Sequence, residues 1–118
     1  MRQISIKHRS KHVLYNVTIG INPIKIEEWT RFMREDHLPK IFASDCFENY
    51  RMCRIIDENT ESATIAVQYL ATSMEHLEKY HNEYAPQLQR EHLEKFGSEV
   101  VAYRSVLSLM EEGVWENI

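Results

Sequence analysis

From Val13 to Ile21 every second residue is apolar and either β-branched or aromatic: Val13, Tyr15, Val17, Ile19 and Ile21 alternate with Leu14, Asn16, Thr18 and Gly20. A period of two matches a strand, whose side chains point alternately to opposite faces, and does not match the 3.6-residue period of a helix. One face of this strand is apolar throughout and requires a covering layer. The rest of the chain must supply that layer.

Asn22 and Pro23 follow as a cap and a helix-compatible φ, and Ile26, Trp29, Phe32, Met33 and His37 then recur at helical spacing. The spacing predicts a helix over Ile24 to Leu38, stopped or kinked by Pro39, which lacks an N–H and restricts the residue before it. Phe47 to Asp57 reads as a second strand and Ser62 to Ala71 as a third, joined through a turn at Glu58, Asn59 and Thr60. Thr72 with Glu75 fits a capping box, and Met74, Leu77, Tyr80 and Tyr84 form the stripe behind it. Pro86 interrupts and opens another helical segment carrying Leu88, His92, Leu93 and Phe96, with Gly97 as its stop. Val100 to Ser108 is the last expected strand. Met1 to His12 has four basic residues and no acid, and is expected to be a mobile basic tail, while Glu111 to Ile118 carries only Trp115 as a docking signal.

At 118 residues the chain fits one domain, 13–110, with a core of ordinary size. No apolar run approaches the roughly 20 residues that span a bilayer. Removing the tail's four positive charges from the formal net of −4 leaves −8 for Val13 to Ile118, a balance that repels nucleic-acid phosphates. Cys46 and Cys53 are seven apart, so on one extended segment they point to opposite faces and do not readily pair. The simplest expectation is a reduced, cytoplasmic protein.

The element order βαββαβ is that of a ferredoxin-like α+β sandwich, a four-stranded antiparallel sheet with its helices on one side. Val13, Tyr15 and Val17 would lie under the helices with Ala63, Ile65, Val67 and Tyr69. The opposite face then carries Leu14, Asn16, Thr18 and Gly20 beside Thr64, Ala66, Gln68 and Leu70. A solvated sheet face usually carries Lys and Glu, and these positions carry neither. A second covering layer is expected.

The Leu14-Tyr15-Asn16-Val17-Thr18 run, Glu28-Trp29 with Met33, His37 and Pro39, the Ala66-Val67-Gln68-Tyr69 strand and Glu91-His92-Leu93 with Phe96-Gly97 together resemble a bacterial family of domains of unknown function. The likeness runs from about Val13 to Met110. That family resembles the dimeric α/β-barrel superfamily, in which two ferredoxin-like protomers pack sheet against sheet, so the resemblance implies that the missing cover is a second copy of the chain. Members of the superfamily include monooxygenases, isomerases, haem-binding enzymes and stress proteins, and the fold alone selects none of these activities.

Four residues are the candidate site. Asn16 and Gln68 lie on the uncharged face, where amides can donate to and accept from a ligand or hydrogen-bond across a dimer interface. Arg104 alternates against Val101, Tyr103 and Leu107; if that apolar set lies under the helices, its guanidinium enters the covered face and suits a carboxylate or phosphate, or an acid such as Glu48. His37 reads either as a general base at the rim of the cleft or as a histidine set against a helix end or packed in the core. Arg51 and Arg54 have opposite parity, so only one of them can face the cleft, and parity does not say which; solvated arginines on an edge strand are the commoner alternative. His76 and His81 read as surface residues and His92 as buried or half-buried.

There is no phosphate-cradling glycine loop, no Cys-x-x-Cys, no nucleophile elbow and no His/Glu metal cluster. No cofactor or metal is expected. RNA-recognition domains share the element order but stack bases on aromatic residues, and the corresponding face here offers Asn16, Thr18, Ala66 and Gln68. The expectation is a homodimeric small-molecule-binding domain, with a cofactor-independent oxygenase or isomerase as one alternative and a structural or protein-interaction module as another.

Overall fold

The computed structural model describes residues 1–58 and 61–118. Among the described residues, six strands and four α-helical segments follow in the order β1 (Arg2–Lys7), β2 (Val13–Ile21), α1 (Ile26–Phe32), α2 (Leu38–Phe42), β3 (Phe47–Arg54), β4 (Ala63–Ala71), α3 (Met74–Glu83), α4 (Ala85–Phe96), β5 (Val100–Ser108) and β6 (Glu112–Asn117). The main sheet is antiparallel in the order β3-β4-β2-β5, the ferredoxin-like arrangement expected from the element order. Val13, Tyr15, Ile19 and Ile21 of β2 and Ala63, Ile65, Val67 and Tyr69 of β4 are buried on one face, against Trp29, Met33, Leu38, Leu77, Tyr80, Leu88 and Phe96. At the centre Tyr15, Phe47, Tyr69 and Tyr80 form an aromatic cluster with centroids 4.9 to 6.5 Å apart.

The first helical stretch starts as its sequence requires: the Asn22 side chain accepts from the Ile24 N–H at 3.1 Å, with Pro23 in the first turn. It does not end at Leu38. A π turn over Met33–His37 joins α1 to α2, and helical backbone continues to Phe42. The wider turn falls just ahead of Pro39, which occupies the first turn of α2, where a missing N–H costs least. The cap of α3 is likewise one residue later than expected: Ser73, in extended backbone, accepts from the His76 N–H at 3.1 Å. Gly97 closes α4 at φ 57°, ψ −139°, a conformation open to glycine and costly for other residues. Of the expected hairpin turn, Asn59 and Thr60 lie outside the described residues.

The largest departure concerns the two ends of the chain. Residues 2–7, expected as part of a mobile tail, form β1, which pairs antiparallel with β6 in a separate two-stranded ribbon. Ile4 and Ile6 alternate with Gln3, Ser5 and Lys7, and Glu112 to Asn117 supplies the partner, so each end satisfies the backbone groups of the other. The ribbon is rooted at the sheet by the Leu109 N–H to His12 carbonyl bond of 3.1 Å and by Arg9, which pairs with Glu48 on β3 and with Glu112 on β6, while Lys7 pairs with Glu112 within the ribbon. Both cysteines are free, Cys46 buried and Cys53 exposed.

Candidate functional site

Residues directly opposite each other in neighbouring antiparallel strands share a face. The registers therefore lay out the face turned away from the helices as successive rows across β3, β4, β2 and β5. Asn49, Leu70, Leu14 and Leu107 form one row; Arg51, Gln68, Asn16 and Ser105 the next; Cys53, Ala66, Thr18 and Tyr103 the third. The second row is polar from edge to edge. Asn16 and Gln68, the two amides singled out from sequence, are direct cross-strand neighbours in it.

Arg51 is the cleft arginine. It pairs with Gln68 on this face, whereas Arg54 pairs with Ile65 on the helix side. Parity counting could not choose between them because β3 contains a bulge between Phe47 and Asn49, which lets Phe47 point into the core while Asn49 and Arg51 point away. The signal was present in the sequence: Phe47 and Met52 are both core-facing yet five residues apart, an odd spacing that a regular strand cannot accommodate.

Arg104 lies on the other side. Its partner is Val17, which faces the helices with Tyr15 and Ile19, while Tyr103, Ser105 and Leu107 face outward. The expected assignment is thus reversed, and the reason is that β5 is an edge strand with apolar residues at both parities; only its pairing with β2 decides which set turns inward. The Arg104 guanidinium lies on the same side as the Tyr15 hydroxyl. Burial pushes the Tyr15 pKa up, and the guanidinium partly opposes that rise. Arg104 does not share a site with Asn16 and Gln68.

His37 is also on the helix side rather than at the rim of the open face. It is buried at the end of the π turn, with ring centroids of Phe32 and His92 at 5.5 and 5.6 Å, and its Nδ1 has no hydrogen-bond partner among the described residues. Burial lowers its pKa to about 4, with the neighbouring His92 acting in the same direction and Asp36 and Glu91 against it. His92 is half-buried, as expected, and accepts from the Trp29 indole N–H at 2.9 Å through Nε2. That bond requires a lone pair on Nε2 and so holds the ring neutral. Burial pushes the His92 pKa down too, with a further contribution from Arg104. His81 is not a free surface residue: it is half-buried with its ring edge-on to Tyr15 at 4.9 Å.

A cavity of ≈ 300 Å³ opens on the polar face beneath the root of the ribbon. Its floor is Asn49, Arg51, Gln68, Leu14 and Leu70; Leu109, Lys7, Arg9, Glu111 and Glu112 close it from the ribbon side. The volume lies at the lower end of the range for small-molecule sites, and the mixture of leucine walls with a few directed polar groups is of the right kind. Its charges are unequal in availability. Arg9 and Lys7 are engaged by Glu48 and Glu112. Arg51 and Gln68 make no side-chain hydrogen bond or ion pair to another described residue, and Asn16 beside them spends its amide on Thr18 Oγ1 at 3.1 Å. The site offers a planar fork of donors and an adaptable amide on one row. Lys7, Arg9 and Glu112 escaped the sequence reading because their place on the roof depends on the pairing of the two chain ends.

Among the described residues no group of three or more His, Cys, Asp or Glu is arranged to hold a metal ion, and no helix is long and apolar enough to cross a membrane.

Two solved structures share the fold. An EthD family protein from Bacillus halodurans is 8% identical, with a TM-score of 0.59 over 79% of this chain and 96% of that one. A dimeric ferredoxin-like protein from an uncultured marine organism is 11% identical, with a TM-score of 0.61 over 86% of this chain and 98% of that one. At such identities the likeness speaks for the fold alone. No curated protein matches the chain in sequence. The profile of a domain of unknown function, DUF4286, matches residues 12–110 and leaves out both strands of the ribbon.

Proposed function

The chain belongs to the DUF4286 family of domains of unknown function, and from that premise we propose that it is a homodimeric small-molecule-binding domain whose ligand occupies the cavity beneath the ribbon. The observation that carries the reading is Arg51 beside Gln68: an arginine and an amide without side-chain partners among the described residues, lining a cavity of ≈ 300 Å³ together with Leu14, Leu70 and Leu109, while Asn16 lies next in the row and outside the lining. The guanidinium suits the carboxylate, phosphate or carbonyl end of a small organic ligand, and Gln68 gives direction without adding charge. Leu14, Leu70 and Leu109 suit a short apolar body. Support for the dimer is the uncharged stretch Cys53, Ala66 and Thr18 of the third row, together with a fold shared with a dimeric protein.

A thermal-shift screen with short-chain mono- and dicarboxylates, keto acids and phosphomonoesters tests the proposal. A charge-assisted hydrogen bond in such a site is worth about 1.5 to 3 kcal/mol, so Arg51→Ala should weaken a true ligand by roughly one to two orders of magnitude. Arg104→Ala, altered on the other face, should leave the affinity unchanged. Equal stabilisation of the wild type and Arg51→Ala by every ligand would remove Arg51 from the site. Turnover of a bound compound would favour the oxygenase or isomerase alternative, and a cavity filled by side chains of a second copy would favour the interaction module.

A further inference from the structure

The ribbon has two unlike faces. Its register puts Ile4, Ile6 and Trp115 on one side, with Arg2 reaching over the Trp115 ring at 5.5 Å, and on the other Gln3, Ser5, Lys7, Glu112 and Glu116, among which Val114 is the one apolar residue. Gly113 belongs to the apolar side and has no Cβ to displace Ile4, whose Cγ2 would stand 3.3 Å from one. The apolar side is therefore built as a flat strip, yet its own protomer does not cover it. A two-stranded ribbon alone is marginal in water, so an ordered one with an exposed apolar strip calls for a surface to lie on.

A matching surface exists on the same chain, at the wrong end. Val101 and Tyr103 stand outward on β5 near Ile21 and Thr18, whereas the ribbon is rooted beside Ser108 and Leu109, at the opposite end of that strand. Seven residues of strand separate Val101 from Ser108, roughly 24 Å. The molecule is correspondingly long. Its radius of gyration is 16.1 Å and its longest extent 48 Å, against roughly 13–14 Å expected for the radius of a compact chain of this length.

We propose that the β1/β6 ribbon is an arm that lies on a second copy of this chain, its Ile4, Ile6 and Trp115 strip covering the partner's outward β5 face. Residues Ile4, Ile6, Trp115, Val101, Tyr103 and Leu107 are each between 44% and 79% exposed. A standard interface takes about 800 Å² from each partner, and these six large side chains supply apolar surface toward it on both the arm and the strand that would receive it. Two-fold symmetry makes the exchange reciprocal, so each protomer gives one arm and receives one. The arms lie outside the residues shared with the family, so the inference adds a clasp to the sheet-face dimer proposed above and rests on that dimer.

Sedimentation equilibrium of the full chain tests it. Ile4→Thr/Trp115→Thr keeps strand-forming residues and touches nothing in the core, so circular dichroism should match the wild type while the dimer dissociation constant rises at least tenfold. Tyr103→Ser should raise it too, and less than additively when combined with the arm variant. In the wild type, Trp115 fluorescence should shift to the red on dilution through dissociation, with Trp29, buried in the core, unchanged. Thr18→Arg, placed at the middle of the sheet face, separates the two readings. If it yields a monomer while the arm variant dimerises like the wild type, the arm proposal falls and the sheet-face dimer stands. A wild type that is monomeric at micromolar concentration overturns both. Cosedimentation of that monomer with phosphatidylglycerol vesicles would assign the strip to a lipid surface instead.

Discussion

At His37, burial and the neighbouring His92 act in the same direction, because both penalise the imidazolium. Asp36 and Glu91 oppose them, but each is also held by Lys40, at 3.2 and 3.1 Å, and their pull is weakened accordingly. Above about pH 6.5 the ring is neutral in both folded and unfolded chains. As the pH falls from there to about 4 the unfolded chain takes up the proton first, so stability declines through that window and the loss is complete below it. The gap in pKa corresponds to on the order of 3 kcal/mol. His37→Leu should flatten much of the difference between urea midpoints measured at about pH 7.5 and about pH 4.5. Retention of the whole acid-side loss in that variant would place its origin elsewhere. The same residue shows where sequence stops: helical spacing put His37 on the apolar stripe, and the stripe packs under the sheet, away from the amides with which a base would have to act.

Among the elements, the turn after α4 is the one whose residue type is dictated by backbone alone. Nothing lies within 4 Å of a Cβ placed on Gly97, and its φ of 57° is the sole obstacle to substitution there. Gly97→Ala should therefore destabilise by about 1 to 3 kcal/mol in denaturant unfolding, as a strained backbone conformation does. Ser98→Ala, next along the chain and exposed, should stay within about 0.5 kcal/mol. Equal midpoints for the two variants would refute a conformational origin. The glycine was legible because a helix stop has a chemical signature. The π turn was not, since the apolar stripe of α1 runs into Met33 and His37 at ordinary helical spacing and only Pro39 hints that the backbone must adjust.

For the whole molecule, the proposed dimer rests on the open face. Thr18, Ala66 and Cys53 form a row with no charge, and a charge placed at its centre would have to be desolvated if a second copy lies there. Thr18→Arg should reduce the dimer to monomer in sedimentation at micromolar concentration. Because Thr18 points away from the core, the thermal midpoint measured at high dilution should change little. An unaltered dimer would show that association uses another surface.

The sequence by itself determined whatever rests on local periodicity and backbone chemistry: the alternation of β2 and β4, the stripes of α1, α3 and α4, the stop at Gly97, the order βαββαβ, and from these the pairing of Asn16 with Gln68 on one face. Three things were decided by tertiary structure. The face of Arg104 depends on the register of an edge strand whose two parities are nearly equally apolar. The choice of Arg51 over Arg54 depends on a bulge that adds one residue to the count. The pairing of β1 with β6, which roofs the cavity with Lys7, Arg9 and Glu112, joins segments more than a hundred residues apart. No local propensity encodes such a contact, because it is stabilised only when folding of the sheet between them has brought the two ends of the chain together.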